Sequence, residues 1–252
     1  MAIKTRKISD WLSVNGQAIT NASKATMEDA IRADIGQLYD GVFIAFHRKS
    51  DDFPLAVRVS SWASYQASGE IAEGVLLVEG GRHLVIAPTE ASSAKWSSKP
   101  VSSSDTSGSV QISGVTTTSD RITALNDFAG RANTTAIING STSNNVTNTE
   151  DYAAGFCNKY SRTNANGKGL TAGRWWLPSM GEMAMIWSNF DKINYALSKI
   201  SGATQLQANW YWSSTQASAS GAWGLGLNDG IMNGYWNFSQ FRVRPVSAFY
   251  IS

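Results

Sequence analysis

The chain has 252 residues, 42% of them hydrophobic and 16% charged, with a formal net charge of +2. A chain of this size can bury a real core, and so weak a charge balance gives no broad basic field for nucleic acid or an anionic membrane. Its single cysteine, Cys157, excludes an intrachain disulfide, a cysteine-based zinc site and two-thiol redox chemistry.

The first residues, Met1 to Lys7, are basic, but Ser9, Asp10 and Trp11 follow with no apolar segment of signal-peptide type. No stretch is long enough to span a bilayer. The expectation is synthesis in a cytoplasm and no membrane insertion. From Ser23 to Tyr39, Met27, Ala30, Ile31, Ile35 and Leu38 fall at helical spacing, with Asn21 or Ser23 as cap and Gly41 beyond the end. Residues 42–46 and 55–59 read as two strands around a polar turn that holds His47. Residues 1–65 are therefore expected to form a small N-terminal α/β attachment or oligomerisation module, and 66–252 a larger binding domain.

A second hairpin is expected over 74–78 and 83–87, since the central Gly80 and Gly81 suit a tight turn with positive φ. The Ser/Thr-rich run 97–120 and the Asn/Thr-rich run 139–149 read as surface loops. Thr149 and the acidic pair after it should open a helix that buries Ala153, Phe156, Cys157 and Tyr160. Cys157 on that stripe reads as a small core residue rather than a nucleophile. Ser179 and Glu182 form a capping box for a helix with Met183, Ile186, Trp187 and Phe190 on one face. The pattern of Ile193, Ala196, Leu197 and Ile200 either continues that helix or starts another after a bend at Asn189. His47 and His83, the two histidines, read as surface residues, and no hydrolase triad is evident.

The last stretch, from Asn209 to Val246, is unusual. Between Trp210 and Phe241 its one charged residue is Asp229, while Gly, Ser, Ala and Asn alternate with aromatic and aliphatic residues. That vocabulary, small residues around large rings, is the one antibody paratopes use to gain contact area at low entropic cost. It reads as a binding face.

Several motifs in order, Trp175 to Glu182, Tyr211 to Thr215, Ala222 with Trp223, and Arg242 to Val246, resemble the C-type lectin fold. Within it the chain resembles the branch shared by formylglycine-generating enzymes and the variable proteins of diversity-generating retroelements, over about Ile71 to Phe249. The resemblance implies an α+β domain, two helices on a twisted, mainly antiparallel sheet, whose variable region (about 209–246) displays a ligand-binding surface. Retroelement diversification acts at template adenines, so Asn codons ending in a pyrimidine become many other residues. Trp, Gln and Met are unreachable from such codons, which marks Trp210, Trp212, Gln216, Trp223, Met232, Trp236 and Gln240 as fixed. Trp175, Trp176, Trp210, Trp212, Trp223, Arg242 and Arg244 are the expected scaffold. The reachable positions, Ser218, Ser220, Gly221, Gly224, Gly226, Leu227, Asp229, Ile231, Gly234, Tyr235, Asn237, Ser239 and Phe241, are the candidate ligand-binding residues.

The enzyme reading falls low, because formylglycine-generating chemistry uses a cysteine pair. A calcium-mediated sugar site is also disfavoured, since Asp229 is the one carboxylate on the face. The expectation is a non-enzymatic protein with no cofactor and no metal, carried on a phage tail and binding a bacterial surface receptor of protein or glycan, as a possible homotrimer. The alternative is a bacterial surface lectin-like protein of fixed sequence.

Overall fold

The computed structural model describes residues 40–140 and 148–248, and before them one short antiparallel pair, β1 (Ser13–Val14) with β2 (Gln17–Ala18). The helix expected over 23–39, the basic start and residues 141–147 lie outside the described residues. The chain divides into two compact units, Met1–Tyr39 with Tyr250–Ser252, and Asp40–Phe249. The second carries all that follows.

This unit is α+β with mainly antiparallel sheets. It begins with β3 (Gly41–His47) and β4 (Pro54–Arg58), then the short helix α1 (Trp62–Ala67), β5 (Gly74–Glu79) and β6 (Arg82–Ile86). The boundary expected near residue 65 is thus corrected to residues 39/40. β3 pairs with β4 on one side and with β5 on the other, Ile44 lying opposite both Val57 and Val75, so the first hairpin is part of the main sheet. Its apolar residues Ile44 and Phe46 are fully buried there, which a separate module would have to expose. Between β5 and β6, Gly80 and Gly81 have φ of 54° and 76°, the left-handed pair that a two-residue hairpin turn needs.

The chain continues through β7 (Ala91–Lys95), α2 (Arg121–Leu125), α3 (Gly130–Asn139), α4 (Ala153–Lys159), β8 (Arg162–Thr163), β9 (Gly169–Leu170) and β10 (Trp175–Trp176). Next come α5 (Met180–Ser188), α6 (Phe190–Leu197), β11 (Trp210–Ser218), β12 (Gly221–Gly226), β13 (Met232–Trp236), β14 (Gln240–Val243) and β15 (Val246–Ser247). Two large sheets result, a six-stranded one in the order β10-β15-β6-β5-β3-β4 and a five-stranded one in the order β13-β12-β11-β14-β7, while β8 and β9 pair separately. In the second, β11 and β14 run parallel, Tyr211 opposite Arg242.

Two cores flank the five-stranded sheet. The larger contains Ile44, Leu77 and Ile86 from the six-stranded sheet, Met183, Ile186 and Ile193 from α5 and α6, and Tyr211, Trp223 and Leu225 from β11 and β12. The smaller contains Trp212, Ala222 and Val243 from the opposite face, with Trp96, Ile137, Ala153 and Cys157. Strand alternation explains the split, because consecutive residues such as Tyr211 and Trp212 point to opposite faces.

Two helix expectations need correction. The acidic cap at Thr149 is absent: α4 starts at Ala153, its N-cap is Tyr152, and its first turn holds no acidic residue. Thr149 packs instead against Gly155, where any Cβ would strike the Thr149 backbone. Trp187, expected on the buried face of α5, is 41% exposed. The chain bends at Asn189, which ends α5 and begins α6. Glu182 turns back to accept the Ser179 amide at 2.8 Å, as a capping box requires.

Candidate functional site

The C-terminal strands form a surface by a simple geometric route. On β11 to β14, the side chains of Tyr211, Trp223, Leu225 and Met232 enter the larger core. Those of Trp212, Ala222 and Val243 enter the smaller one. Where the smaller core reaches its rim, Trp210, Tyr235 and Phe241 are each half-buried. They form a ring cluster: Tyr235 stands edge-on to Trp210 (4.9 Å between centroids) and to Phe241 (4.8 Å), and Phe241 lies 4.5 Å from Trp212. Such tilted and edge-to-face pairs add roughly 0.5–1.5 kcal/mol each beyond the area buried. Phe241 also covers Gly224, where a Cβ would lie 3.3 Å from its ring. A side chain at 224 therefore requires the Phe241 ring to shift by a few tenths of an ångström.

The candidate binding residues divide into three groups. Ser218, Asp229, Ile231 and Gly234 are exposed, and Ser220, Tyr235, Ser239 and Phe241 are half-exposed. Gly221, Gly224 and Gly226 are buried main chain; at Gly226 a Cβ would come within 2.8 Å of the Asp229 carboxylate, and at Gly221 within 3.0 Å of the Tyr235 carbonyl. Leu227 and Asn237 are corrections. Leu227 belongs to the larger core at 3% exposure, and Asn237 is a buried structural residue. The Asn237 carbonyl accepts the Trp96 amide at 2.9 Å, and its Nδ2 donates to Lys99 O at 3.3 Å. Both lie in a stretch that looks loop-like in sequence, but Leu227 follows β12 into the core with its amide donating to the Asn209 carbonyl at 2.9 Å, and Asn237 is held by the chain at Trp96 and Lys99.

The expected scaffold residues also differ among themselves. Trp175, Trp176, Trp212 and Trp223 are buried, and three of these indoles donate to main-chain carbonyls: Trp175 to Leu170, Trp212 to Ala94 and Trp223 to Thr118. Trp210 departs from the expectation, since it is only partly buried and completes the ring cluster. Trp236 is exposed and stacks on Phe238. Arg242 and Arg244 both pair with Glu90 at 2.7 Å, and the Tyr211 hydroxyl donates to the same carboxylate at 2.7 Å. Arg244 is fully buried and Glu90 nearly so. Burial and this carboxylate hold the Tyr211 phenol far above its ordinary pKa.

Sequence reasoning missed Glu90 and Asp127. The Asp127 side chain accepts from Thr215 Oγ1 (2.6 Å), Asn133 Nδ2 (2.9 Å) and the Ala129 amide (2.9 Å). Its carbonyl accepts from Ser179 Oγ and the Gly181 amide. It ties α2, α3 and α5 to β11. An isolated carboxylate in a loop gives no sequence signal of such a role, because three of these five partners, Thr215, Ser179 and Gly181, are remote along the chain.

Titratable groups elsewhere suit structural tasks. Burial pushes the Cys157 thiol well above its ordinary range. His47, expected as a surface residue, places Nδ1 2.7 Å from the fully buried carboxylate of Glu73. His83 is exposed. Among the described residues no three His, Cys, Asp or Glu side chains gather closely enough to hold a metal ion, and no helix is long and apolar enough to cross a membrane.

No family model matches the chain, and no curated protein matches it. Among solved structures, it is similar to a fimbrial protein from Bacteroides ovatus ATCC 8483, at 19% identity and a TM-score of 0.45. The match covers 66% of this chain, which spans only 36% of that one.

Proposed function

We propose that the chain is a non-enzymatic recognition protein that presents a diversified C-terminal surface on a C-type lectin fold. One observation supports this reading: eight of the thirteen reachable positions are open or half-open, while four of the seven unreachable ones are buried and the other three, Trp210, Trp236 and Gln240, are at least partly open. Trp212, Gln216, Trp223 and Met232, which such diversification cannot produce, are buried, whereas Ser218, Asp229, Ile231, Gly234, Tyr235 and Phe241 are open or half-open. Side chains that change identity at the open positions leave the packed indoles intact, and a large-to-small change in the core costs ~2–5 kcal/mol. Binding comes from the aromatic and apolar surface of Trp210, Tyr235, Trp236, Phe241 and Ile231, with Ser and Asn around it for hydrogen bonds. Electrostatic steering is weak, as Asp229 is the one charge between Trp210 and Phe241.

The receptor is a bacterial surface protein or glycan, and the carrier is a phage tail. Several copies, as in a homotrimer, would raise weak single-site contacts into avidity. A fixed-sequence lectin-like protein of a bacterial surface is the second reading, and it draws on Leu227 and Asn237, which are reachable yet buried.

The test is to sequence this gene and its surroundings in many isolates. Substitutions concentrated at the first two codon bases of the eight open positions, beside a near-repeat template and a reverse transcriptase gene, are the expected result. Scattered and mostly silent changes would leave the fixed-sequence reading.

A further inference from the structure

A second concave feature lies on the opposite side of the five-stranded sheet from the ring cluster. It is a cleft of about 460 Å³ between α2, α5 and the edge of β12 and β13. Leu125, Phe128, Met185, Trp187, Leu225 and Met232 make its apolar walls. Two glycines hold those walls back. At Gly230 (φ 72°) a Cβ would run into the Trp187 indole, and at Gly181 a Cβ would come within 2.8 Å of the Phe128 ring. Each ring therefore rests directly on main chain, which fixes it in place and leaves the space between open.

Two polar side chains line the cleft, Glu79 and Ser188. Ser188 Oγ donates to Met185 O at 3.1 Å, so it is already engaged. Glu79 receives one long bond, 3.3 Å, from Asn189 Nδ2. Among the described residues no cation lies within ion-pair distance of it. Arg82, its cross-strand neighbour, sits 3.7 Å from the Phe128 ring centroid, and Lys192 donates to Asn189 Oδ1. A polyhydroxylated ligand would lose its water hydrogen bonds here without replacement, and an anion would meet the Glu79 carboxylate.

We propose that this cleft binds a small amphiphilic cation, an aromatic or branched aliphatic body carrying an ammonium group. The body fills the space between Phe128, Met185 and Trp187, and the ammonium pairs with Glu79. The volume falls in the range of small-molecule sites, which are apolar clefts with a few placed polar groups, and the two methionines adapt to differing shapes. This site is separate from the ring cluster, although its Gly230 wall lies between Asp229 and Ile231, two of the open candidate positions.

The test uses the full chain with 13C-labelled methionine methyls and three matched probes: 4-phenylbutylammonium, 4-phenyl-1-butanol and 4-phenylbutyrate. Met185 and Met232 line the cleft, while Met183 is buried elsewhere in the core and serves as the internal control. The ammonium probe should shift the Met185 and Met232 signals in a saturable way and bind roughly tenfold more tightly than the carboxylate, as one charge-assisted contact supplies. Glu79→Gln should bring the ammonium probe to the affinity of the alcohol, and Trp187→Ala should weaken both alike. No saturable shift at the two methionines, equal binding of ammonium and carboxylate, or an unchanged preference in Glu79→Gln would overturn the proposal.

Discussion

Single buried carboxylates do much of the organising in this fold. Glu90 holds two arginines and a tyrosine at the base of the C-terminal strands, so the Arg242 to Val246 motif is an anchor rather than a ligand contact. A buried pair of this kind contributes geometry more than net stability, since desolvation offsets much of the attraction. Glu182 is a different case. Burial raises its pKa from 4.5 to about 7, against the hydrogen bonds from the Ser179 amide and Trp176 indole that favour the charged form. Between those two values the folded protein holds more protons than the unfolded chain. The stability that the protonated carboxyl provides is therefore full below 4.5 and is lost as pH rises through about 7. A displacement of this size corresponds to about 3 kcal/mol. Denaturant melts from pH 4.5 to 8 should show the decline, and Glu182→Gln, which keeps an acceptor for both donors, should flatten it. An equal slope in the variant would assign the effect to other groups.

The ring cluster changes what substitutions within the C-terminal strands should do. Tyr235 and Phe241 look, from sequence, like surface residues that can be removed without cost to the fold. In the structure Phe241 packs on Trp212, Trp210 and Gly224, so Phe241→Ala should lower stability by ~1–3 kcal/mol as well as weaken binding. Ile231, 54% exposed, should give the clean separation, with melting temperature unchanged on replacement by Ala, whereas Asp229→Ala should lower it slightly because the Asp229 carboxylate accepts the Ile231 amide at 3.0 Å. Trp212→Ala and Trp223→Ala should cost more, ~3–5 kcal/mol. Thermal melts of the five variants check the order; a loss at Ile231 matching that at Trp212 would mean the surface and core are reversed. Among the helices, α5 was readable because Ser179 and Glu182 announce it. α3 was not, because Gly130, Asn133 and Thr134 are poor helix formers. What holds α3 is tertiary, since Asn133 bonds to Asp127, and Thr134 Oγ1 accepts the Leu177 amide.

At the scale of the molecule, the two sheets share one large core, and β3 lies inside its sheet between β4 and β5. A chain beginning at Asp40 should therefore unfold cooperatively. One beginning at Gln66 should not fold, since it loses two strands and exposes the inner face of β5. Urea titrations followed by tryptophan fluorescence distinguish them, and cooperative folding of the shorter chain would restore the boundary near residue 65. The same architecture separates two surfaces by chemistry. On one face of the five-stranded sheet is the neutral ring cluster, and on the other an apolar cleft with one carboxylate.

The sequence alone determined the local devices: the Gly80–Gly81 turn, the capping box, the burial of Cys157, and the charge-poor aromatic stretch, while the bend at Asn189 was one of two alternatives it left open. Each depends on residues close together in the chain, where periodicity and turn chemistry act directly. Tertiary structure decided which of those aromatic and small residues face outward. It buried Leu227 and Asn237, opened Trp210 and Trp187, and drew Glu90 to Arg242 and Arg244 across some 150 residues. Strand alternation specifies that two faces exist, but only packing against the rest of the chain selects which face is covered and how far the cover extends.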